Sequence, residues 1–200
     1  MKKIGSLLVL LFILSGCHFP KYTFDMESSR YGVDFNNGEW LLNYVDGPAA
    51  VNDKLTEMAV EEFSSYLGYS LHYAWKENGL IIPKGLVSNY TEEQLTDLKV
   101  GTNFDFFISI RGKIDSDDMG SLQIGDVDHG EKKVNQGWIY LEIYDLNLKE
   151  RIYFQKVTGI ITAEDEHRDF VISKSAGDMI VGGMKRIFKK IKNTHTPIKD

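Results

Sequence analysis

Apolar residues divide the chain into an unbroken run near the amino terminus and a longer part with regular alternation. Ile4 to Leu14 is an uncharged stretch of eleven residues. From Glu39 onward, apolar positions recur at helical or strand spacing between clusters of Gly, Pro, Asn and Asp. The intervening segment 18–38 has no sustained period. The pattern therefore predicts a targeting segment, a connecting stretch and one folded domain.

The domain is predicted to begin with a short strand and an amphipathic helix. Trp40 to Val45 is a compact apolar run, and Asp46-Gly47-Pro48 ends it. Asn52 is a plausible cap for the helix, and Gly68 suits the position just past its end. The apolar face of this helix comprises Leu55, Met58, Ala59, Phe63, Tyr66 and Leu67.

Two short strands and a second helix are predicted next. The strand candidates are Ser70–Trp75 and Leu80–Ile82. Thr91-Glu92-Glu93-Gln94 is a capping-box pattern, which opens a helix that ends near Gly101.

Three longer strands follow the second helix. Phe104–Ile114 alternates, with Phe and Ile on one side and polar residues on the other. Trp138–Tyr144 and Arg151–Ile161 are predicted to pair as a hairpin, because Asp145 to Glu150 supplies a turn.

A closing helix is predicted from about Phe170 to Lys192. Gly177, Gly182 and Gly183 each cost up to about 1 kcal/mol in a helix interior. Such a cost is offset most easily where the helix backbone lies close to a sheet. The apolar stripe of this helix comprises Ile172, Ala176, Met179, Ile180, Gly183, Ile187 and Ile191.

The order β-α-β-α-β-β-β-α predicts an α+β fold, a mixed sheet with helices packed mainly on one face. We place this single globular domain at residues 39–192 and a carboxy-terminal tail at 193–200. Two hundred residues accommodate one such domain together with a targeting segment.

The charge balance bears on the partners of the domain. The chain has 23 basic and 29 acidic residues, a net charge of −6. Removal of Lys2 and Lys3 with a signal peptide leaves 21 basic residues and a net charge of −8. An acidic domain does not attract phosphate backbones, so we expect no nucleic-acid partner.

The amino terminus, MKKIGSLLVLLFILSGC, carries the most specific motif. A short basic region precedes the apolar run, which is too short to span a bilayer comfortably and is typical of a signal peptide. Leu14-Ser15-Gly16-Cys17 resembles the lipobox of bacterial lipoproteins at all four positions. The resemblance implies that signal peptidase recognises Leu14, Ser15 and Gly16, removes residues 1–16, and leaves acyl chains on Cys17.

The lipobox resemblance also bears on the location of the mature protein. His18, rather than Asp, follows Cys17, which by the sorting rule of some Gram-negative bacteria favours the outer membrane. Through the acyl chains the chain would be attached to membrane lipid. Residues 17–38 are interpreted as the lipidated cysteine and a tether; alternatively, the aromatic residues of 18–38 pack back on the domain.

Part of the domain resembles the amino-terminal domain of TolB and the periplasmic part of the curli-secretion lipoprotein. The similar segments are an aspartate-aromatic strand, Phe104-Asp105-Phe106-Phe107-Ile108, and a hairpin, Leu141 to Leu146 with Lys149 to Tyr153. This resemblance spans about residues 39–192 and implies a module that binds another envelope protein rather than an enzyme.

The loop 115–136 holds the candidate metal ligands Asp115, Asp117, Asp126, Asp128 and His129. Asp115 to Gly120 begins like a calcium loop, but Met119 occupies the ligand position 5, and position 12 is Asp126 rather than the bidentate Glu. A solvated hairpin loop is therefore the favoured interpretation, and we expect no metal and no cofactor.

Catalytic motifs are missing from the sequence. His72, His129 and His167 are candidate bases, yet no nucleophile motif, P-loop or dinucleotide fingerprint accompanies them. We predict a non-catalytic envelope lipoprotein that interacts with a protein. The alternatives are a module that binds a small ligand, lipid or metal, and an unrecognised hydrolase.

Lysines and an arginine end the last predicted helix. They would either meet anionic lipid headgroups or an acidic partner, or simply complement the helix dipole; the second interpretation is favoured.

Overall fold

A mixed six-stranded sheet lies at the centre of the computed structural model, which describes residues 19–25, 32–77, 89–119, 122–124, 133–163, 170–172 and 174–194. The helices are α1 (Ala49–Leu67), α2 (Glu92–Thr102) and α3 (Ala176–Thr194). The strands are β1 (Lys21–Phe24), β2 (Trp40–Leu42), β3 (Leu71–Tyr73), β4 (Phe106–Asp117), β5 (Leu122–Ile124), β6 (Lys133–Asp145), β7 (Glu150–Ala163) and β8 (Phe170–Ile172).

The strand order in the sheet is β1-β7-β6-β4-β2-β3. Strands β4, β6, β7 and β1 pair antiparallel, whereas β2 pairs in parallel with both β3 and β4. The parallel pairs need crossover connections, which contain α1 and α2. Strands β5 and β8 pair with each other in a separate small sheet.

Helices α1 and α3 cover one face of the sheet, called the inner face. Ile139, Leu141 and Ile143 alternate along β6 and pack there against α3 and α1 in the main core. The close approach needs glycine: a Cβ at Gly183 would lie 2.9 Å from Ile139 Cγ2, and one at Gly112 would lie 2.9 Å from Ile180 Cγ2. The expectation that the α3 glycines let the helix approach a sheet is confirmed for Gly183.

Helix α2 packs on the opposite face, called the outer face. Its Leu95 is buried against Leu41, Phe107 and Tyr144 from three adjacent strands. Thr91 and Gln94 form the predicted capping box, and Asn103 ends the helix in a left-handed conformation. The α+β fold with helices mainly on one face is therefore confirmed, with α2 as the exception.

Two helices begin at other positions than predicted. Helix α1 begins at Ala49 after Pro48, because the Asn52 side chain instead accepts a hydrogen bond from the Gly47 amide at 3.0 Å. Helix α3 begins at Ala176 rather than near Phe170. The Ser175 hydroxyl accepts a hydrogen bond from the Asp178 amide at 3.1 Å and thus caps the first turn.

The long strands match the predicted hairpin and extend it. Trp138–Tyr144 and Arg151–Ile161 lie within β6 and β7, which are paired along their whole length. The predicted strand at Leu80–Ile82 lies outside the described residues. Loop 115–136 is shorter than predicted, because β4 continues to Asp117 and β6 begins at Lys133.

The segment before Glu39 belongs to the folded unit wherever it is described. Lys21–Phe24 forms an edge strand of the sheet, and Val33 and Phe35 are buried in the main core. Of the aromatic residues described in 18–38, Tyr22 and Phe35 pack on the domain, whereas Phe19 and Phe24 are exposed.

Among the described helices, none has the length and apolar character needed to cross a membrane.

Candidate functional site

Strand β1 is held in the sheet edge by a slot for one aromatic ring. Tyr22 pairs with Gly159 of β7 and extends over α3. A Cβ at Gly159 would lie 3.0 Å from the Tyr22 ring, and one at Gly182 would overlap the Tyr22 hydroxyl. The Arg186 guanidinium covers the ring at 3.5 Å from its centroid. Two glycines and a cation thus fix the position of β1.

The residues beside this slot are exposed and of two kinds. Phe19 is 80% exposed and Phe24 is 41% exposed, which is uncommon for side chains of this size in a folded domain. Lys21 is exposed on the same strand, and Lys190 lies over the Phe24 ring at 5.8 Å. Aromatic and cationic side chains therefore share this edge of the sheet.

A second surface with the same chemistry lies on the outer face beyond α2. The rings of Trp138 and Tyr140 stack at 5.5 Å between centroids, and Phe154 lies 6.0 Å from Tyr140. Lys156 is placed 5.1 Å over the Trp138 ring. Lys113, opposite Trp138 in the sheet, is exposed.

Glu142 is a fully buried carboxylate at the border of this surface and α2. Its Oε1 accepts a hydrogen bond from Arg151 at 2.8 Å, while Oε2 has no hydrogen-bond partner. Burial, and then the charge of Glu142, raises the pKa of Tyr90 and of Tyr144 above the ordinary phenol value. Both phenols are therefore neutral at any physiological pH, and the Arg151 ion pair is what compensates the buried charge.

A groove of about 380 Å³ separates α1 and α3 on the other side of the molecule. Met58 and Phe188 contribute apolar surface to it. Glu61 and Glu62 line it from α1, and Lys185, Lys189 and Lys192 line it from α3. The basic end of the last helix therefore forms one wall of a groove whose other wall is acidic.

Two of the predicted metal ligands are described, and they have separate partners. Asp115 accepts hydrogen bonds from Gln136 and Trp138, each at 3.1 Å. Asp117 accepts one from the Ala176 amide at 3.0 Å, which ties β4 to the start of α3. Asp126, Asp128 and His129 lie outside the described residues. Within the described ranges no group of three potential ligands is gathered.

Of the three candidate bases, His72 is within the described residues. His72 lies between Glu39 and Glu77, with nitrogen–oxygen distances of 2.9 and 3.1 Å, at the β3 edge of the sheet. His129 and His167 lie outside the described residues, as do Leu14, Ser15, Gly16 and Cys17. The lipid attachment and signal peptidase sites thus stay predictions.

Two groups of surface residues were not predicted as sites. Lys21 to Phe24 alternates polar and aromatic residues, which is a strand signal only four residues long. Trp138 and Tyr140 lie between the aliphatic residues of β6, so their alternation already indicated that the second face of this strand is aromatic.

Comparisons with known proteins identify no family for the chain. No family model matches it, and no curated protein matches it. Similar solved structures include the PelC dodecamer from Paraburkholderia phytofirmans, at 6% identity and a TM-score of 0.43, covering 90% of this chain and 100% of that chain.

Two further structures are similar at comparable levels. Lipoprotein GNA1162 from Neisseria meningitidis has 11% identity and a TM-score of 0.37, covering 78% of this chain and 99% of that one. Hypothetical protein CT253 from Chlamydia trachomatis has 11% identity and a TM-score of 0.35, covering 78% and 95%. At these scores the likenesses carry no information about function.

Proposed function

We propose that the chain is a non-catalytic lipoprotein of the bacterial cell envelope, attached to the outer membrane through acyl chains on Cys17. The observation that carries the proposal is the tetrapeptide Leu14-Ser15-Gly16-Cys17 at the end of an apolar run. One acyl chain binds a bilayer only marginally, whereas two or three on one residue give a stable attachment. The folded unit begins at Lys21, only four residues later.

The domain would serve as an interaction module for another envelope protein. The half-buried Trp138, Phe154 and Lys156 and the exposed Lys113 on the outer face support this role, whereas Tyr140 is buried between the two rings. Aromatic residues are enriched at the centres of protein interfaces, and cations beside them favour an acidic partner. The TolB-type resemblance is consistent with such a role and itself stays a prediction.

Substitution of the cysteine tests the anchor. Cys17→Ser is expected to give an unlipidated, uncleaved precursor, because the thiol that forms the thioether is missing. His18→Ser is the matched control and should retain cleavage and acyl mass. Mass spectrometry of the membrane fraction measures both, and a Cys17→Ser protein cleaved normally at residue 17 would refute the anchor. His18→Asp tests the outer-membrane assignment, since it should shift the protein to the inner-membrane fraction.

Site-specific photocrosslinking in intact cells tests the interaction role. A photoreactive residue at Gln136, two residues before Trp138 on the same face of β6, is expected to capture a distinct protein partner. The same residue at Tyr69, which is fully exposed after α1, is the control and should capture none. Equal crosslinking patterns at the two positions would argue against the outer face as the binding surface.

A small amphipathic ligand is a second candidate, which the groove between α1 and α3 favours. An apolar floor with cations on one wall suits a fatty-acid-like molecule. Lipid extract should then raise the melting temperature of the protein, and Lys189→Glu should abolish the shift. No shift across lipids, calcium and zinc would leave the groove without a ligand.

A further inference from the structure

We infer that the β1 edge of the sheet is a membrane-contact surface that fits the headgroup region of an anionic bilayer. The membrane edge, as we call it, consists of Phe19, Lys21, Phe24, Arg186 and Lys190. The inference rests on the proposed acyl anchor at Cys17 and specifies how the domain stands on the membrane.

The proposed anchor at Cys17 lies close to the start of β1. Three residues separate Cys17 from Lys21. Four extended Cα–Cα steps span at most about 14 Å. The acyl chains therefore bring the amino-terminal end of β1 to the membrane surface, rather than leaving the domain on a long tether.

Strand β1 is firmly attached to the rest of the domain. Lys21, Tyr22, Thr23 and Phe24 pair with Ile160 to Val157 of β7, and the glycine slot holds Tyr22 against α3. Because β1 cannot swing away without emptying this slot, the whole domain follows the orientation of the strand.

The side chains of the membrane edge are of the kinds that favour a bilayer surface. Aromatic side chains are enriched at membrane–water interfaces, and Lys and Arg beside them are attracted to anionic headgroups. Phe19 and Phe24 are the exposed aromatics nearest the anchor. Among the described residues, the carboxylates near this edge are Asp25, directly after β1, and Asp178, whose charge acts on Tyr22; Asp178 also accepts a hydrogen bond from Ser175 at 2.9 Å. Three cations thus face two carboxylates, in a chain that is acidic as a whole.

The consequence is a defined orientation. A sheet that stands on β1 directs its opposite edge, β3, away from the bilayer. The outer face, with Trp138 and Lys113, then stands upright and remains accessible to a partner beside the protein.

Fluorescence quenching on the lipidated full chain tests the orientation. Cys17 is the only cysteine, so an introduced cysteine is the only thiol available for a fluorophore. Thr23→Cys labels the membrane edge, and Val100→Cys labels α2, where the native side chain is 81% exposed. In vesicles of phosphatidylcholine and phosphatidylglycerol with headgroup spin labels, we expect quenching at Thr23 to exceed that at Val100 by about threefold or more. Equal quenching would overturn the inference.

A second set of variants separates this inference from the proposed anchor. Phe19→Ser combined with Phe24→Ser should reduce the quenching ratio toward one, whereas Tyr69→Ser, an exposed aromatic elsewhere, should leave it unchanged. Vesicle flotation should persist in all of these variants, because the acyl chains are intact. Flotation with an unchanged ratio in the double variant would refute the membrane edge alone, and loss of flotation in the unmodified sequence would refute the anchor. Disulfide-linked dimers of Thr23→Cys would instead assign the β1 edge to a second copy of the chain.

Discussion

The two faces of the central sheet belong to the same strands but present different kinds of side chain. On the inner face, β6 presents Ile139, Leu141 and Ile143, all within the main core. On the outer face, the alternate positions of the same strand are Trp138, Tyr140 and Glu142, with a cation near each. The inner face holds the main core, whereas the outer face combines a smaller buried cluster under α2 with aromatic and charged side chains.

The largest loss of unfolding free energy is expected for a substitution on the inner face. Phe63 of α1 is fully buried between Phe35 and Phe188. Phe63→Ala is expected to lower the free energy of unfolding by about 3–5 kcal/mol, since it removes a buried ring and leaves a cavity. Urea denaturation measures the change, with Tyr69→Ala as an exposed aromatic control. A loss below 1 kcal/mol would contradict the assignment of α1 to the main core.

The ion pair between the buried Glu142 and the partly exposed Arg151 should have the second largest effect and is the sharpest test of the outer face. Arg151→Ala leaves Glu142 buried without its cation, so we expect a loss of about 2–4 kcal/mol. Arg151→Met combined with Glu142→Leu removes both charges and should recover most of the stability, because the desolvation cost disappears as well. If the double variant is less stable than the single one, the pair contributes more through its hydrogen bonds than through charge compensation.

Asp105 should show a smaller effect that depends on pH. Hydrogen bonds from Lys99, then Asn147, then the Glu39 amide lower the pKa of Asp105 to about 2. Because the pKa is lower in the folded state, the stabilisation is complete above the ordinary value near 3.8 and is lost as the pH falls through about 2.

The matching experiment compares Asp105→Asn with the unchanged sequence at several pH values. The variant should be less stable at pH 6 by about 1–2 kcal/mol, allowing for solvent screening of a partly exposed group. The difference should shrink toward pH 2. A difference that is constant between pH 6 and pH 2 would show that the carboxylate charge is not the source.

The smallest effect on stability should come from the exposed cation of the outer face. Lys113→Ala should change the unfolding free energy by less than about 0.5 kcal/mol. The same substitution should weaken partner capture in cells at a neighbouring crosslinking position such as Gln136. If Lys113→Ala lowers stability and leaves partner capture unchanged, this outer-face residue contributes to folding rather than to binding.

The inner face could be predicted from the sequence because apolar residues recur regularly on the side of each element that meets the core. The alternation in β6 and the apolar stripe of the last helix both follow from which side of the element meets the core. Six of the seven predicted stripe residues are buried in α3, whereas Ile172 belongs to strand β8 instead. The capping box at Thr91 was predictable for a similar reason, since its hydrogen bonds are local.

The β1 slot could not be predicted in the same way. No periodic spacing in the sequence relates Gly159 to Gly182. Their role becomes apparent only when β7, α3 and Tyr22 are brought together in space. Likewise, nothing near Asp117 in sequence indicates that it accepts a hydrogen bond from the amide of Ala176. Contacts between distant segments leave little trace in local periodicity.

The place of β1 in the sheet also determines when the domain can be completed. The strand lies near the amino terminus, but its partners β7 and α3 come from the last quarter of the chain. During synthesis, residues 21–24 must therefore wait for nearly all later residues before they find a partner. Under the proposed lipidation, the strand that follows Cys17 so closely has no sheet partner until β7 and α3 have been made.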